Sequence, residues 1–101
     1  MVIITKGIIQ AFVARHKNAT VPLNDWYEKT KAVHWSNFSE VRSTFNSADF
    51  LGNDRYVFNI GGNNFRIVAI IHFSFRTLYI RGIMTNREYD ALNKTDQLIT
   101  L

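Results

Sequence analysis

Cysteine is absent from the 101 residues, which excludes disulfide staples, thiolate nucleophiles and sulfur-rich metal sites. One proline and five glycines are too few for a linker-rich or low-complexity chain. No apolar run approaches the ~18 residues that a membrane-spanning helix needs. The opening Met1-Val2-Ile3-Ile4-Thr5-Lys6 lacks the basic start of a secretory signal. The expectation is a cytoplasmic protein with no membrane partner. The histidines at 16, 34 and 72 are scattered, with no carboxylate cluster to join them, so neither metal nor cofactor is expected. Hydroxyl nucleophiles lack a base beside them in sequence. Gly61-Gly62 is followed by no helix, which excludes a nucleotide-binding loop. Acids are also scarce: eight Asp and Glu face twelve Lys and Arg, a formal net charge of +4. That balance favours nucleic acid or an acidic protein as partner.

Hydrophobic residues make up 47% of the chain and charged residues 20%, enough to build the core of one globular domain over residues 1–101. The organising stretch is 54–84. Asp54–Ile60, Phe65–Phe73 and Leu78–Met84 read as a three-stranded meander. The first link, Gly61-Gly62-Asn63-Asn64, is rich in residues that accept positive φ. Alternation then splits each strand between two faces. One face takes Tyr56, Phe58, Ile60, Phe65, Ile67, Ala69, Ile71, Phe73, Leu78, Ile80 and Met84, and needs a helical cover. The other takes Arg55, Val57, Asn59, Arg66, Val68, Ile70, His72, Tyr79, Arg81, Ile83 and Thr85. This second set holds three arginines and no acid. It is either a solvated sheet surface or a surface made for an anionic ligand.

Val2-Ile3-Ile4 is short enough to be a strand. Thr5 can cap a helix to about Lys17, with Ile8, Ile9, Phe12 and Val13 as its stripe and Asn18 as a left-handed stop. Pro22 suits the first turn of a second helix reaching about Val33. Leu23, Trp26 and Tyr27 give it an apolar side. Asn37 and Glu40 have capping-box spacing and open a short third helix, with His34 and Trp35 in the joint. Residues 46–53 read as a loop. Thr85 and Glu88 form a second capping box, opening a last helix with Tyr89 and Leu92. The tail from Lys94 is ambiguous, though Leu98, Ile99 and Leu101 suggest docking. The order β-α-α-α-β-β-β-α is an α+β domain, a small antiparallel sheet with helices packed on one face.

One assembly stands out as chemistry. Simple hairpins place Asn59 opposite Arg66, and Arg66 opposite Thr85. A helix start offers amide N–H groups and partial positive charge, and an arginine fork matches a phosphate. Arg66 is therefore either a phosphate anchor, with Arg81 supporting it, or a structural arginine paired with Glu88 or Asp90.

The run Tyr56-Val57-Phe58-Asn59-Ile60-Gly61-Gly62-Asn63-Asn64-Phe65-Arg66-Ile67-Val68-Ala69 resembles the signature of HigB-type toxins of bacterial toxin–antitoxin systems. Tyr79-Ile80-Arg81 and Met84-Thr85-Asn86-Arg87-Glu88-Tyr89-Asp90 are similar to that family's C-terminal motif. The likeness spans roughly residues 35–92. It implies a RelE-like fold and a metal-independent endoribonuclease acting on messenger RNA during translation on the ribosome. It also implies neutralisation by a HigA-type helix-turn-helix antitoxin. The implied reaction is attack of the RNA 2′-OH on the adjacent phosphorus, leaving a 2′,3′-cyclic phosphate. For this site the resemblance implies Arg66, Arg81, Tyr89 and Asn86 as catalytic candidates. Asn59, Arg55, Thr85, Arg87, His72 and His34 are the RNA-binding candidates. Many relatives carry histidine where this chain has Asn86, and asparagine cannot act as general acid or base. Two other readings follow: a non-enzymatic RNA- or protein-binding module, and a catalytically impaired toxin that still binds antitoxin.

Overall fold

Five strands form one sheet in a computed structural model that describes residues 1–4 and 7–101. They are β1 (Val2–Ile4), β2 (Asp49–Gly52), β3 (Arg55–Ile60), β4 (Phe65–His72) and β5 (Thr77–Thr85). Their spatial order is β1-β5-β4-β3-β2, with β1 parallel to β5 and every other pair antiparallel. Four α-helices complete the α+β fold: α1 (Gly7–Arg15), α2 (Thr20–Lys31), α3 (Phe38–Thr44) and α4 (Asn86–Lys94).

The meander forms because period-2 alternation over three strands gives one continuous apolar face. Phe58, Ile67, Ala69, Leu78 and Ile80 are each at most 1% exposed, and α1 to α3 close over them. Trp26 and Trp35 are core residues, ringed around Phe45 and Phe58. Trp35 also donates its Nε1–H to Thr44 Oγ1 at 3.0 Å, so the joint between α2 and α3 is packed as well as oily.

Several local expectations change. Residues 46–53 are not all loop: Asp49–Gly52 pairs with β3 as a short edge strand. Its end turns through Gly52, Asn53 and Asp54, all at positive φ. The left-handed stop expected at Asn18 does not occur. Lys17–Ala19 is a 3-10 turn that runs straight into α2, so the chain never needs to break there. The cap expected at Thr5 lies outside the described residues. In α3, Asn37 accepts from the Glu40 amide at 3.0 Å, but the Glu40 carboxylate reaches the Ser36 amide, one residue before the expected one.

The most consequential change is a bulge in β5. Val68 pairs with Gly82 and Ala69 with Ile80, leaving Arg81 as the extra residue. Beyond it the register slips by one. Arg66 pairs with Met84, not Thr85, and Thr85 pairs with Phe65. Ile83 therefore joins the main core, while Met84 turns to the second face. That face is not simply bare. Tyr89 and Leu92 of α4, with Leu98 and Leu101 of the tail, pack there against Val57, Val68 and Met84.

Candidate nucleic-acid interface

Arg66 sits early in β4, on the rung Asn59–Arg66–Met84. It is half-buried, and its Nη1–H donates to the Phe65 carbonyl at 3.2 Å. Its guanidinium carbon lies 5.5 Å from the centre of the Tyr89 ring, a cation–π contact. The structural alternative fails: among the described residues the sole ion pair is Lys29–Asp25, so neither Glu88 nor Asp90 neutralises Arg66. An aromatic ring orients a guanidinium without cancelling its charge. The fork is thus fixed on one side and unneutralised on the other. The Tyr89 phenol is pushed up mainly by burial, with the Arg66 charge pulling it partly back. It stays protonated at neutral pH and can donate.

The start of α4 is less open than the sequence suggests. Thr85 is the N-cap: its hydroxyl accepts from the Glu88 amide at 3.2 Å, and its own amide donates to Glu88 Oε1 at 2.9 Å. The Asn86 amide donates to the Asn64 carbonyl at 3.0 Å. These protein partners occupy the amides expected to be free, and Glu88 brings a negative charge. Its carboxyl is held below the usual range, chiefly by the Thr85 backbone hydrogen bond, with help from the His16 and Arg15 charges and against burial. Asn86 and Arg87 instead line a shallow groove on α4 with Asp90, Ala91, Lys94 and Thr95. Asn59 stays beside Arg66, with its amide turned to Asn63 at 3.3 Å.

Arg55 and Arg81 are drawn elsewhere. Arg55 Nη2 and Arg81 Nε both donate to the main-chain oxygen of Leu101, each at 2.8 Å. Arg81 therefore does not support Arg66. The bulge aims it at the tail. His72 is exposed at the far end of β4, against Phe75 and Tyr79, six residues from Arg66. At ~3.4 Å per residue that is about 20 Å along the strand. His34 is exposed in the joint between α2 and α3. Neither histidine joins the cluster.

Two neighbours escape a reading of the sequence. His16 stacks on Phe12 at 4.4 Å between ring centres and meets Phe65 edge-on at 5.9 Å. Asp49, placed in a loop by sequence, pairs with Val57 on the second face and acts on the Tyr89 phenol. Both contacts join segments distant in the chain, and no local pattern signals them.

Residues 19–92 match the family model described as HigB_toxin, RelE-like toxic component of a toxin–antitoxin system. The chain is 30% identical over 96 residues to the mRNA interferase HigB of Escherichia coli O6:H1, covering 93% of each chain. It is 37% identical over 76 residues to the mRNA interferase toxin HigB of Escherichia coli K12, covering 75% of this chain and 72% of that one. The same figures hold for the mRNA interferase HigB of Shigella flexneri.

Proposed function

The chain belongs to the HigB family of RelE-like toxins, and from that premise we propose that it is an endoribonuclease that cuts messenger RNA in the cytoplasm, on the ribosome. A HigA-type helix-turn-helix antitoxin is its natural inhibitor. The observation that carries the reading is Arg66: half-buried, held over Tyr89 and paired with no carboxylate. An unneutralised arginine fork in a partly desolvated position is suited to a phosphodiester, and better still to its more highly charged transition state.

The reaction needs no group beyond the protein and the RNA. The 2′-oxygen attacks the adjacent phosphorus and gives up its proton to solvent water, which later restores the proton that Tyr89 donates. The bond from phosphorus to the 5′-oxygen breaks, and that oxygen takes a proton. The products are a 2′,3′-cyclic phosphate and a 5′-hydroxyl. Arg66 stabilises the charge that builds on the phosphorane oxygens. The Tyr89 phenol, protonated at neutral pH, is the proton donor to the departing oxygen. Asn86 and Asn59 orient the strand through amide hydrogen bonds, and Arg87 holds flanking phosphate; Thr85, closed by Glu88, lies outside this scheme. His72 and His34 lie outside this scheme.

Expression of the wild-type chain is expected to arrest growth and fragment transcripts. Arg66→Ala should abolish both while the purified protein keeps its helical circular dichroism and melting transition. Arrest with intact transcripts would remove the nuclease reading. Salt-dependent RNA binding without cleavage would leave a binding module in its place.

A further inference from the structure

The edge strand β2 brings an acid to the second face. Alternation sends the Phe50 ring to the helix-covered side, where it meets Tyr56 at 5.0 Å between ring centres, and sends Asp49 and Leu51 the other way. Leu51 packs there against the cluster of Val57, Val68, Met84 and Leu98. Asp49 stands opposite Val57, two residues along β3 from Asn59, the partner of Arg66. Helix α4 runs in step with this strand. Asn93 and Leu51 line one small cleft. One helical turn back from Asn93, about 5 Å, is Tyr89, and two strand residues back from Leu51, about 7 Å, is Asp49. Tyr89 therefore has Arg66 on one side, 5.5 Å from its ring centre, and Asp49 on the other. The phenol registers both charges: burial raises it most, Arg66 pulls it back, and Asp49 pushes it up ahead of its own chain neighbour Asp90. Asp49 forms no ion pair among the described residues, with Arg66 or any other cation. It is exposed, so water reaches it. Its Oδ1 accepts from the Phe50 amide at 2.8 Å, a local bond that asparagine would keep. A carboxylate beside a phosphate anchor repels the ligand. That is the wrong charge for binding alone and the right one for taking up a proton.

We propose that Asp49 is the proton acceptor of the cleavage reaction, acting on the 2′-hydroxyl through one water that it holds. This rests on the nuclease reading above and names where the released proton goes. As the bond from the 2′-oxygen to phosphorus forms, the 2′-oxygen gives its proton to that water, and the water passes one to the Asp49 carboxylate. The bond from phosphorus to the 5′-oxygen breaks, and the Tyr89 phenol protonates the departing oxygen. The Asp49 carboxyl then returns its proton, again through water, to the Tyr89 phenolate. One proton is taken up and one delivered, and the protein ends as it began. One intervening water is within the working reach of a general base. Because Asp49 works through that water, it positions and drains the reaction without touching the reacting atoms.

The test follows single-turnover cleavage of a short message on ribosomes, at a linkage the wild type cuts, for the full chain and for Asp49→Asn, Asp49→Glu and Tyr89→Phe. The message is made in two forms: ordinary RNA, and RNA whose leaving 5′-oxygen is replaced by sulfur. A thiolate departs without a proton, so the sulfur form removes the need for the acid and leaves the need for the base. On ordinary RNA, Asp49→Asn should cut about a hundredfold more slowly, while Asp49→Glu, which keeps the carboxylate, should stay within about tenfold of the wild type. On the sulfur form, Tyr89→Phe should recover to within severalfold of the wild type and Asp49→Asn should remain about a hundredfold slow. Affinity for RNA methylated at the attacking 2′-oxygen should be equal or tighter in Asp49→Asn, because a like charge is gone. If the wild type cuts and Asp49→Asn cuts ordinary RNA as fast, Asp49 is a solvated strand-end residue and the nuclease reading stands. If sulfur restores Asp49→Asn as it restores Tyr89→Phe, Asp49 serves the leaving oxygen and its assignment as acceptor is wrong. If Asp49→Asn loses affinity in step with rate, its role is structural. If the wild type cuts neither form, the nuclease reading falls and the task of Asp49 with it.

Discussion

Tyr89 is the residue whose role divides most cleanly by substitution. Its ring positions Arg66, and its hydroxyl is the proposed acid. Tyr89→Phe keeps the ring and removes the proton. Cleavage by purified toxin on translating ribosomes should fall at least a hundredfold, the usual scale of a general acid. Binding of a 2′-O-methyl oligoribonucleotide, uncleavable because its 2′-oxygen is blocked, should be unchanged. Tyr89→Ala should weaken that binding as well, because the guanidinium loses its platform. If Tyr89→Phe cuts as fast as the wild type, the proton comes from elsewhere. Glu88 gives a prediction in pH. Its folded-state carboxyl titrates below the ordinary range, so the unfolded chain takes up the proton first as pH falls. The stability it contributes is present above the ordinary carboxylate range and is lost as pH drops through the folded value. Glu88→Gln can still accept the Thr85 hydrogen bond but does not titrate. Melting curves from pH 7 to pH 3 should therefore show a shallower acid loss for Glu88→Gln than for the wild type.

At the scale of elements, α4 and β5 show what local pattern reveals and what it hides. The Thr85–Glu88 capping box is read directly from spacing, and the structure forms both of its hydrogen bonds. Thr85→Ala should cost about 1 kcal/mol, seen as a fall of roughly 5 °C in Tm for a domain of this size. The strands β3 to β5 are equally legible, because alternation persists over each of them. The bulge at Arg81 is not, since strict alternation across it looks plausible and only the isolated Gly82 hints at an interruption. One missed residue moves Met84 to the second face, replaces Thr85 by Met84 opposite Arg66, and redirects Arg81. Deleting Arg81 should restore a regular ladder with Ile83 still opposite Ile67 and Met84 still opposite Arg66. In denaturant titrations it should therefore cost little more than Arg81→Ala does. The strand β2 is hidden for a different reason: four residues flanked by Asn, Asp and Gly carry too little pattern to outweigh turn signals.

Over the whole molecule, the sheet separates two tasks. The face beneath α1 to α3 supplies stability, and Phe58→Ala, which removes a fully buried ring touching Trp26, Trp35 and Phe45, should cost about 3–5 kcal/mol. The second face holds Arg55, Arg66 and Arg81 under α4 and the tail. The sequence makes that face visible as a set of arginines without acids. It does not reveal that the arginines split into two groups, because the split depends on a bulge and on where a four-residue tail docks. The account as a whole depends on Arg66 acting on a phosphodiester. The most direct test maps transcript 3′ ends bearing 2′,3′-cyclic phosphate in cells expressing the wild type, Arg66→Ala or Tyr89→Phe at matched levels of folded protein. The account predicts new cyclic-phosphate ends with the wild type and none above background with Arg66→Ala; equal numbers of such ends with both would contradict it.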